Sequence, residues 1–230
     1  MCIRDSYPGS GTGGFTPNRL VDLGGATYDA VDVAGDLSGD GRPDLIARAG
    51  TTLYVLRGDC SGDFRTAAAI GYGWNVVTAL LAPGDFDGDA QSDVIARLTD
   101  GTLWLYPGNG RGGLDDGRQI GHGWASVTVF AAGDVDGDHV NDLLARSADG
   151  LLWLYPGRGD GRTKAPRAIG SSWQHFTALV GTGDFDGDAR PDVAARAADG
   201  TLRLYRGNGT GGWLGWRQIG TGWSGFRTIV

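Results

Sequence analysis

The sequence predicts an all-β protein, a β-propeller of four-stranded blades, on three observations. An acidic loop recurs four times, beginning at Asp36, Asp85, Asp134 and Asp184, at spacings of 49, 49 and 50 residues. A long fixed period marks a repeat architecture, and four short strands per period match a propeller blade. The composition also disfavours helices. All 27 acidic residues are Asp, and Lys164 and Met1 are the sole Lys and Met, so several of the strongest helix formers are scarce or missing. Gly, Asp, Val, Thr, Trp and Tyr suit short strands and tight turns.

The second copy shows the elements in order. Residues 76–82 are an apolar, β-rich run ending in Pro83-Gly84. The acidic loop follows, then a second strand over 93–97. Asp100-Gly101 is a two-residue hairpin signal, leading to a third strand over 102–106. A Gly-rich turn over 107–113 precedes a short fourth strand around Gln119 and Ile120, and Gly123-Trp124 opens the next copy. The same reading divides the chain into a partial blade at 7–27, blades at about 28–74, 75–124, 125–173 and 174–223, and the start of a further blade at 224–230. One such sheet cannot bury both faces alone, so the blades must stack.

Each loop reads Gly-Asp-x-(Asp/Ser)-Gly-Asp-x-x-x-Asp, as in the run from Gly84 to Asp93. Carboxylates at loop positions 1, 3, 5 and 9 wrap oxygen ligands around a hard cation, and calcium is the natural candidate. Turn-making and amide capping would account for a single copy. Fifteen Asp in sixteen such places are electrostatically unfavourable without a cation. These fifteen also carry the acidity: the formal charge is −7, and without them the chain is net basic.

These loops resemble FG-GAP or VCBS repeats, the family that includes the integrin α-chain propeller, and the resemblance covers nearly all of the chain after Ser6. It implies a propeller, typically seven-bladed, of which this chain would be an arc. It also implies Ca²⁺ in the loop between each blade's first two strands, secretion, and a role in adhesion or ligand binding. Carried over by position, the ligands for up to four Ca²⁺ are as follows. Asp36, Ser38, Asp40 and Asp44 serve the first site, and Asp85, Asp87, Asp89 and Asp93 the second. Asp134, Asp136, Asp138 and Asp142 serve the third, and Asp184, Asp186, Asp188 and Asp192 the fourth. The position-7 carbonyls of Arg42, Gln91, Val140 and Arg190 would complete the shells. Two departures matter. Ser38 replaces an acid, which should lower affinity. At position 6 the family's second Gly survives only as Gly41, against Ala90, His139 and Ala189. A positive φ there costs roughly 1 kcal/mol per substitution. The expectation is sites of roughly millimolar-to-micromolar grade, which suit extracellular calcium.

Both ends read as cut. Met1 to Ser6 match nothing in the repeats and resemble a translated sequencing-adaptor peptide, a non-native leader. The chain stops shortly before the next expected acidic loop. The two Cys, Cys2 and Cys60, imply no disulfide framework or metal motif. The expectation is an extracellular, secreted bacterial protein whose signal peptide lies outside this sequence. No apolar run approaches the ~20 residues of a membrane span, and the scattered Arg form no nucleic-acid groove.

Other signals have bland and sharp readings. Gly108-x-Gly110-x-x-Gly113 matches a dinucleotide fingerprint, but it recurs at Gly9 and Gly207 without a following helix and reads as a β-turn. Arg158-Gly159-Asp160 is an adhesion-type tripeptide that an Arg-, Gly- and Asp-rich chain makes by chance. Trp74, Trp124, Trp173 and Trp223 recur before each first strand, and Trp104 and Trp153 recur in the third, where Tyr54 and Arg203 stand in the other copies. They read as blade packing or as sugar-stacking platforms. Arg48, Arg97, Arg146 and Arg196 end each second strand and would pair with loop carboxylates or line the channel. His122, His139 and His175 share no repeat position, and no nucleophile motif is present.

The functional expectation is a non-catalytic binding module for glycan or cell-wall polysaccharide, appended to a hydrolase. The alternatives are an integrin-like module that binds an extracellular protein, and a hydrolase or lyase with its site at the channel mouth.

Overall fold

A computed structural model describes the chain except residues 1–3, 22, 24–26, 60–62, 66 and 227–230, with the backbone alone at 4–6 and 20. Cys2, Cys60 and the end of the 224–230 segment lie outside the described residues. The protein is all-β, made of four-stranded antiparallel propeller blades in two compact units.

The first unit holds residues 18–125 with the leader. Strand β1 (Arg4–Ser6) pairs antiparallel with β2 (Arg19–Val21). The first blade runs in order through β3 (Ala30–Val33), β4 (Leu45–Ala49), β5 (Thr52–Leu56) and β6 (Ala68–Tyr72). The second comprises β7 (Val77–Gly84), β8 (Asp93–Leu98), β9 (Leu103–Tyr106) and β10 (Arg118–Gly121). The second unit holds 126–230 with residues 7–17. Its blades are β11 (Thr128–Gly133), β12 (Asp142–Arg146), β13 (Leu152–Tyr155) and β14 (Arg167–Gly170), then β15 (Phe176–Gly183), β16 (Asp192–Ala197), β17 (Leu202–Gly207) and β18 (Trp213–Gly220).

The burial of each strand follows its place in the blade. The second strands are covered on both faces, so Val94, Ile95 and Ala96 are all fully buried in β8. Third strands alternate, with Leu103 and Leu105 buried and Trp104 and Tyr106 half-buried. Fourth strands lie largely exposed. Pro83 sits inside β7, which is tolerable because β7 is an edge strand paired with β8 alone.

Neighbouring blades share cores within each unit. Leu37, Ile46, Leu53 and Val55 of the first blade meet Trp74, Val77, Val94 and Ala96. Phe130, Leu144, Leu152 and Leu154 meet Trp173, Phe176, Leu179, Val193 and Ala195. Burial of a Leu or Ile contributes about 1.5–3 kcal/mol, so the cores between blades hold the architecture. Residues 7–17 join the same scheme: Tyr7 and Phe15 pack on Trp223, with ring centroids 4.6 and 5.4 Å away.

Two local expectations change. Asp100-Gly101 does turn the hairpin, but Gly101 alone has positive φ, and the Leu98 N–H reaches the Thr102 carbonyl at 2.9 Å. The loop is therefore longer than the expected two-residue turn. The Gly-rich repeats do form turns: the Asn109 side chain accepts the N–H of Arg111 and of Gly113, and Gly108 bridges to Leu114. Arg158 pairs with Asp160 of its own turn at 3.0 Å.

Candidate metal centres

The acidic loops join the first and second strands of each blade, and their own carboxylates shape them. The position-1 Asp curls the loop around itself. Asp134 accepts the N–H of Gly137 at 2.7 Å, Asp138 at 3.0 Å and His139 at 2.8 Å. Asp184 does the same for Gly187, Asp188 and Ala189, and Asp36 for Gly39, Asp40 and Gly41. Asp85 accepts from Gly88 and Ala90. The curl requires position 6 in the left-handed region: Ala90, His139 and Ala189 have φ of 67°, 67° and 65°. The strain foreseen at these three positions is therefore present, at roughly 1 kcal/mol each.

The position-9 Asp fastens each loop to its blade. Asp44, Asp93, Asp142 and Asp192 are fully buried. Asp142 accepts the N–H of Val135 at 2.9 Å and Asp136 at 3.3 Å within the loop, and Gly157 at 2.8 Å beyond the third strand. Asp93 repeats this with Phe86, Asp87 and Gly108, and Asp192 with Phe185 and Gly207. Asp44 accepts from Ser38 and Gly58. Burial pushes the Asp93 and Asp142 carboxyls up to about 6, against the opposing pull of these amides, and also raises Asp192.

Position 3 completes the cluster. One oxygen of Asp87, Asp136 and Asp186 is buried without a hydrogen-bond partner, as is the Ser38 hydroxyl. In loops 2, 3 and 4 the carboxylates of positions 1, 3 and 9 bring oxygens within 4.8 Å of one another. Two carboxylates at that distance repel by about 3 kcal/mol at an effective dielectric near 20. The amides on positions 1 and 9 offset part of this, and a bound cation would offset the rest. An unpartnered buried oxygen beside two other carboxylates suits a hard, oxygen-seeking ion, so the residues fit calcium.

The position-5 carboxylates act on the same groups, since the charge of Asp89 bears on Asp93 and that of Asp188 on Asp192. The position-5 carboxylates of Asp40, Asp89, Asp138 and Asp188 accept the N–H of Arg42, Gln91, Val140 and Arg190. Asp138 also pairs with Lys164, and Asp188 with Arg206. In loop 1, where Ser38 stands at position 3, Asp44 accepts the Ser38 N–H at 2.7 Å, and among the described residues Asp36, Asp40 and Asp44 form no such cluster.

Each second-strand Arg turns to the Trp that opens the next copy. Arg97 donates to the Trp124 carbonyl at 3.3 Å, Arg146 to that of Trp173 at 3.2 Å and Arg196 to that of Trp223 at 3.2 Å. Arg48 reaches Trp74 and Val77 in the same way. Arg97 and Arg196 add a bond to Thr78 and Thr177, both at 2.9 Å. The Trp74, Trp173 and Trp223 carbonyls also accept the N–H of Val77, Phe176 and Phe226 that ends each short turn, and the Arg takes the second lone pair.

Trp74, Trp124, Trp173 and Trp223 are 3–8% exposed and offer no ring face to a sugar. The half-buried third-strand set is Tyr54, Trp104, Trp153 and Arg203. Two exposed aromatics were not singled out by sequence. Tyr72 is 79% exposed, and Trp216 is 53% exposed beneath the Arg203 guanidinium, 4.4 Å from the ring centre. Neither recurs in other copies, so the repeat pattern gave no signal for them.

Among the described residues no helix is long and apolar enough to cross a membrane. A comparison with curated protein sequences found no match. Two solved structures share the fold. One is a lectin of Agrocybe aegerita whose structure concerns recognition of non-reducing terminal N-acetylglucosamine, at 19% identity and TM-score 0.59, covering 91% of this chain and 58% of the lectin. The other is the BP39L lectin of Burkholderia pseudomallei, at 18% identity and TM-score 0.58, covering 89% of this chain and 61% of the lectin. This chain thus spans about six-tenths of their length. The family model of the FG-GAP-like repeat matches residues 36–96 and 134–195, together more than half of the chain. With its acidic loops at the first-to-second strand turns of each blade, the chain belongs to the FG-GAP-like repeat family.

Proposed function

We propose that the protein is a calcium-stabilised, non-catalytic module that binds glycan outside the cell. The observation that carries the calcium reading is the buried, unpartnered position-3 oxygen beside two further carboxylates in loops 2, 3 and 4. Asp85, Asp87 and Asp93, Asp134, Asp136 and Asp142, and Asp184, Asp186 and Asp192 would hold the ions. Calcium there cancels the mutual repulsion of each cluster and ties the loop to both strands. Loops carrying position-6 strain suit the high calcium of the extracellular space.

The glycan reading is supported by the shared fold of two propeller lectins, one of which recognises terminal N-acetylglucosamine. Trp104 and Trp153 supply half-buried indoles at one position of successive blades, the kind of amphipathic platform that a pyranose face stacks on. An insoluble polymer ligand would hold any attached hydrolase at its substrate. A pull-down on chitin and peptidoglycan, in calcium and in EDTA, tests the reading. Retention in calcium that is lost in Trp104→Ala and Trp153→Ala supports it. No retention of a folded sample on any polysaccharide refutes it and turns attention to a protein partner.

A further inference from the structure

We propose that Arg206 is a built-in counter-cation of the fourth acidic loop: it lowers that loop's calcium affinity below that of loops 2 and 3 and holds it folded without metal. The inference rests on the calcium reading above and divides the loops into classes.

Arg206 closes β17. Its guanidinium spans two carboxylates of the loop, with Nε donating to Asp186 and Nη2 donating to Asp188 at 3.1 Å. Asp186 is the position-3 residue. Its side chain is 6% exposed, and its other oxygen is buried without a partner beside Asp184 and Asp192. The cluster therefore still presents a cation site, with a fixed positive charge already bound to one of its members. A planar guanidinium on a strand end holds two carboxylates with little entropy to lose. The group lies at a cleft of about 200 Å³ lined by Thr12, Asp186, Arg206 and Arg217, where Arg217 donates to the Thr12 carbonyl at 2.7 Å.

The other copies supply an internal comparison. The residue between the third-strand aromatic and the following Gly is Pro107 in copy 2 and Pro156 in copy 3, which carry no charge. Loops 2 and 3 do meet cations. Arg118 lies 3.3 Å from Asp87, Lys164 pairs with Asp138, and Arg167 lies 3.9 Å from Asp136. Each of these is a roughly half-exposed side chain holding one carboxylate. In loop 4 Arg190 adds a weaker contact to Asp188 at 3.6 Å. Copy 1 also has Arg at the strand end, Arg57, and there the position-3 carboxylate is replaced by Ser38. Arg57 donates instead to the Arg111 carbonyl at 3.1 Å. Copies 1 and 4 thus share Arg at this position: in copy 1 the position-3 acid is absent, and in copy 4 one guanidinium holds positions 3 and 5 together.

A unit charge roughly 6 Å from a divalent ion, in a water-like medium, lowers affinity by about tenfold. The test is calcium titration calorimetry on the full chain, paired with thermal melts in EDTA, for wild type and Arg206→Gln. The proposal expects two tighter sites and a weaker class in wild type. In Arg206→Gln one weak site tightens about tenfold, while the EDTA melting temperature falls. Arg206→Met, which keeps the aliphatic stem, carries the same expectation if the Gln variant does not fold. Arg206→Lys, which keeps the charge, should bind as wild type does. Unchanged affinities in folded Gln and Met variants overturn the role of Arg206 while leaving calcium binding intact. A wild type that binds no calcium overturns the calcium reading itself, and the proposal with it.

Discussion

Gly170→Ala sets two effects of opposite sign against each other. The φ of Gly170 is not positive, so an L-residue meets no backbone strain there. Replacing a strand Gly should by itself stabilise by roughly 0.5–1 kcal/mol through the unfolded chain. A Cβ at Gly170, however, stands 2.3 Å from the Trp173 Nε1, 3.1 Å from its Cδ1 and 3.2 Å from its Cε2. The indole cannot retreat. It is 3% exposed and wedged against Tyr205, Phe176 and Trp213, with ring centroids 4.4, 5.5 and 5.6 Å away. Overpacking of this kind costs about 1–3 kcal/mol, so the clash wins by about 1 kcal/mol. For a chain of this size that lowers the melting temperature by about 2–4 °C. Gly225→Ala is the control, since a Cβ there meets nothing within 4 Å and its φ is not positive either. Gly71, Gly121 and Gly220 face Trp74, Trp124 and Trp223 at 2.4, 2.7 and 2.4 Å, so the same loss should recur in each copy. If Gly170→Ala melts no lower than Gly225→Ala, the indole is not a rigid wedge between blades and the reasoning fails.

Arg146→Ala should destabilise by about 1–3 kcal/mol, because it removes the guanidinium that joins the Trp173 and Phe176 carbonyls to the Thr128 hydroxyl; Lys in its place should recover part of the loss in denaturant unfolding, and an Ala variant as stable as wild type would contradict this. Asp32 is held near a pKa of about 6 by burial, despite accepting the N–H of Ala82 at 2.9 Å and of Val33. With its folded pKa raised, Asp32 favours folding below pH 4 and loses that contribution as pH rises through 6, so Asp32→Asn should leave stability at pH 4 unchanged and raise it by about 1–2 kcal/mol at pH 7.5. An equal effect at both pH values would count against it. Calcium requires ionised ligands, and Asp93 and Asp142 titrate near 6 in the metal-free loops. Affinity should therefore fall steeply from pH 7 to pH 5, with proton release visible as a buffer-dependent enthalpy, and a flat pH profile would exclude these two carboxylates as ligands.

The fold was legible because a blade is a local object. Strand, acidic loop, strand, hairpin and strand follow one another within ~49 residues, and four copies average out the noise of any one. Convergence at loop positions 1, 3 and 9 was legible for the same reason, since a tight nine-residue loop leaves its carboxylates few places to go. What the sequence concealed depends on contacts between copies. The second-strand Arg residues were expected to pair with loop carboxylates or line the channel, whereas their guanidinium groups reach the backbone carbonyls of the next Trp turn, which no composition reveals. The cations that meet the position-5 carboxylates were hidden too, since Lys164 and Arg206 reach Asp138 and Asp188 from 26 and 18 residues away. Trp216 and Tyr72 escaped notice because a surface residue found in one copy has no period to betray it.

The most direct test of the central claim is a thermal melt of the chain in millimolar calcium and in EDTA. Calcium at a hundred times Kd stabilises by about 2.7 kcal/mol per occupied site, so occupied loops 2 and 3 predict a melting temperature more than 10 °C higher in calcium. The same melting temperature in calcium and in EDTA would mean that the acidic loops hold themselves through amide capping alone, and that the metal account is wrong.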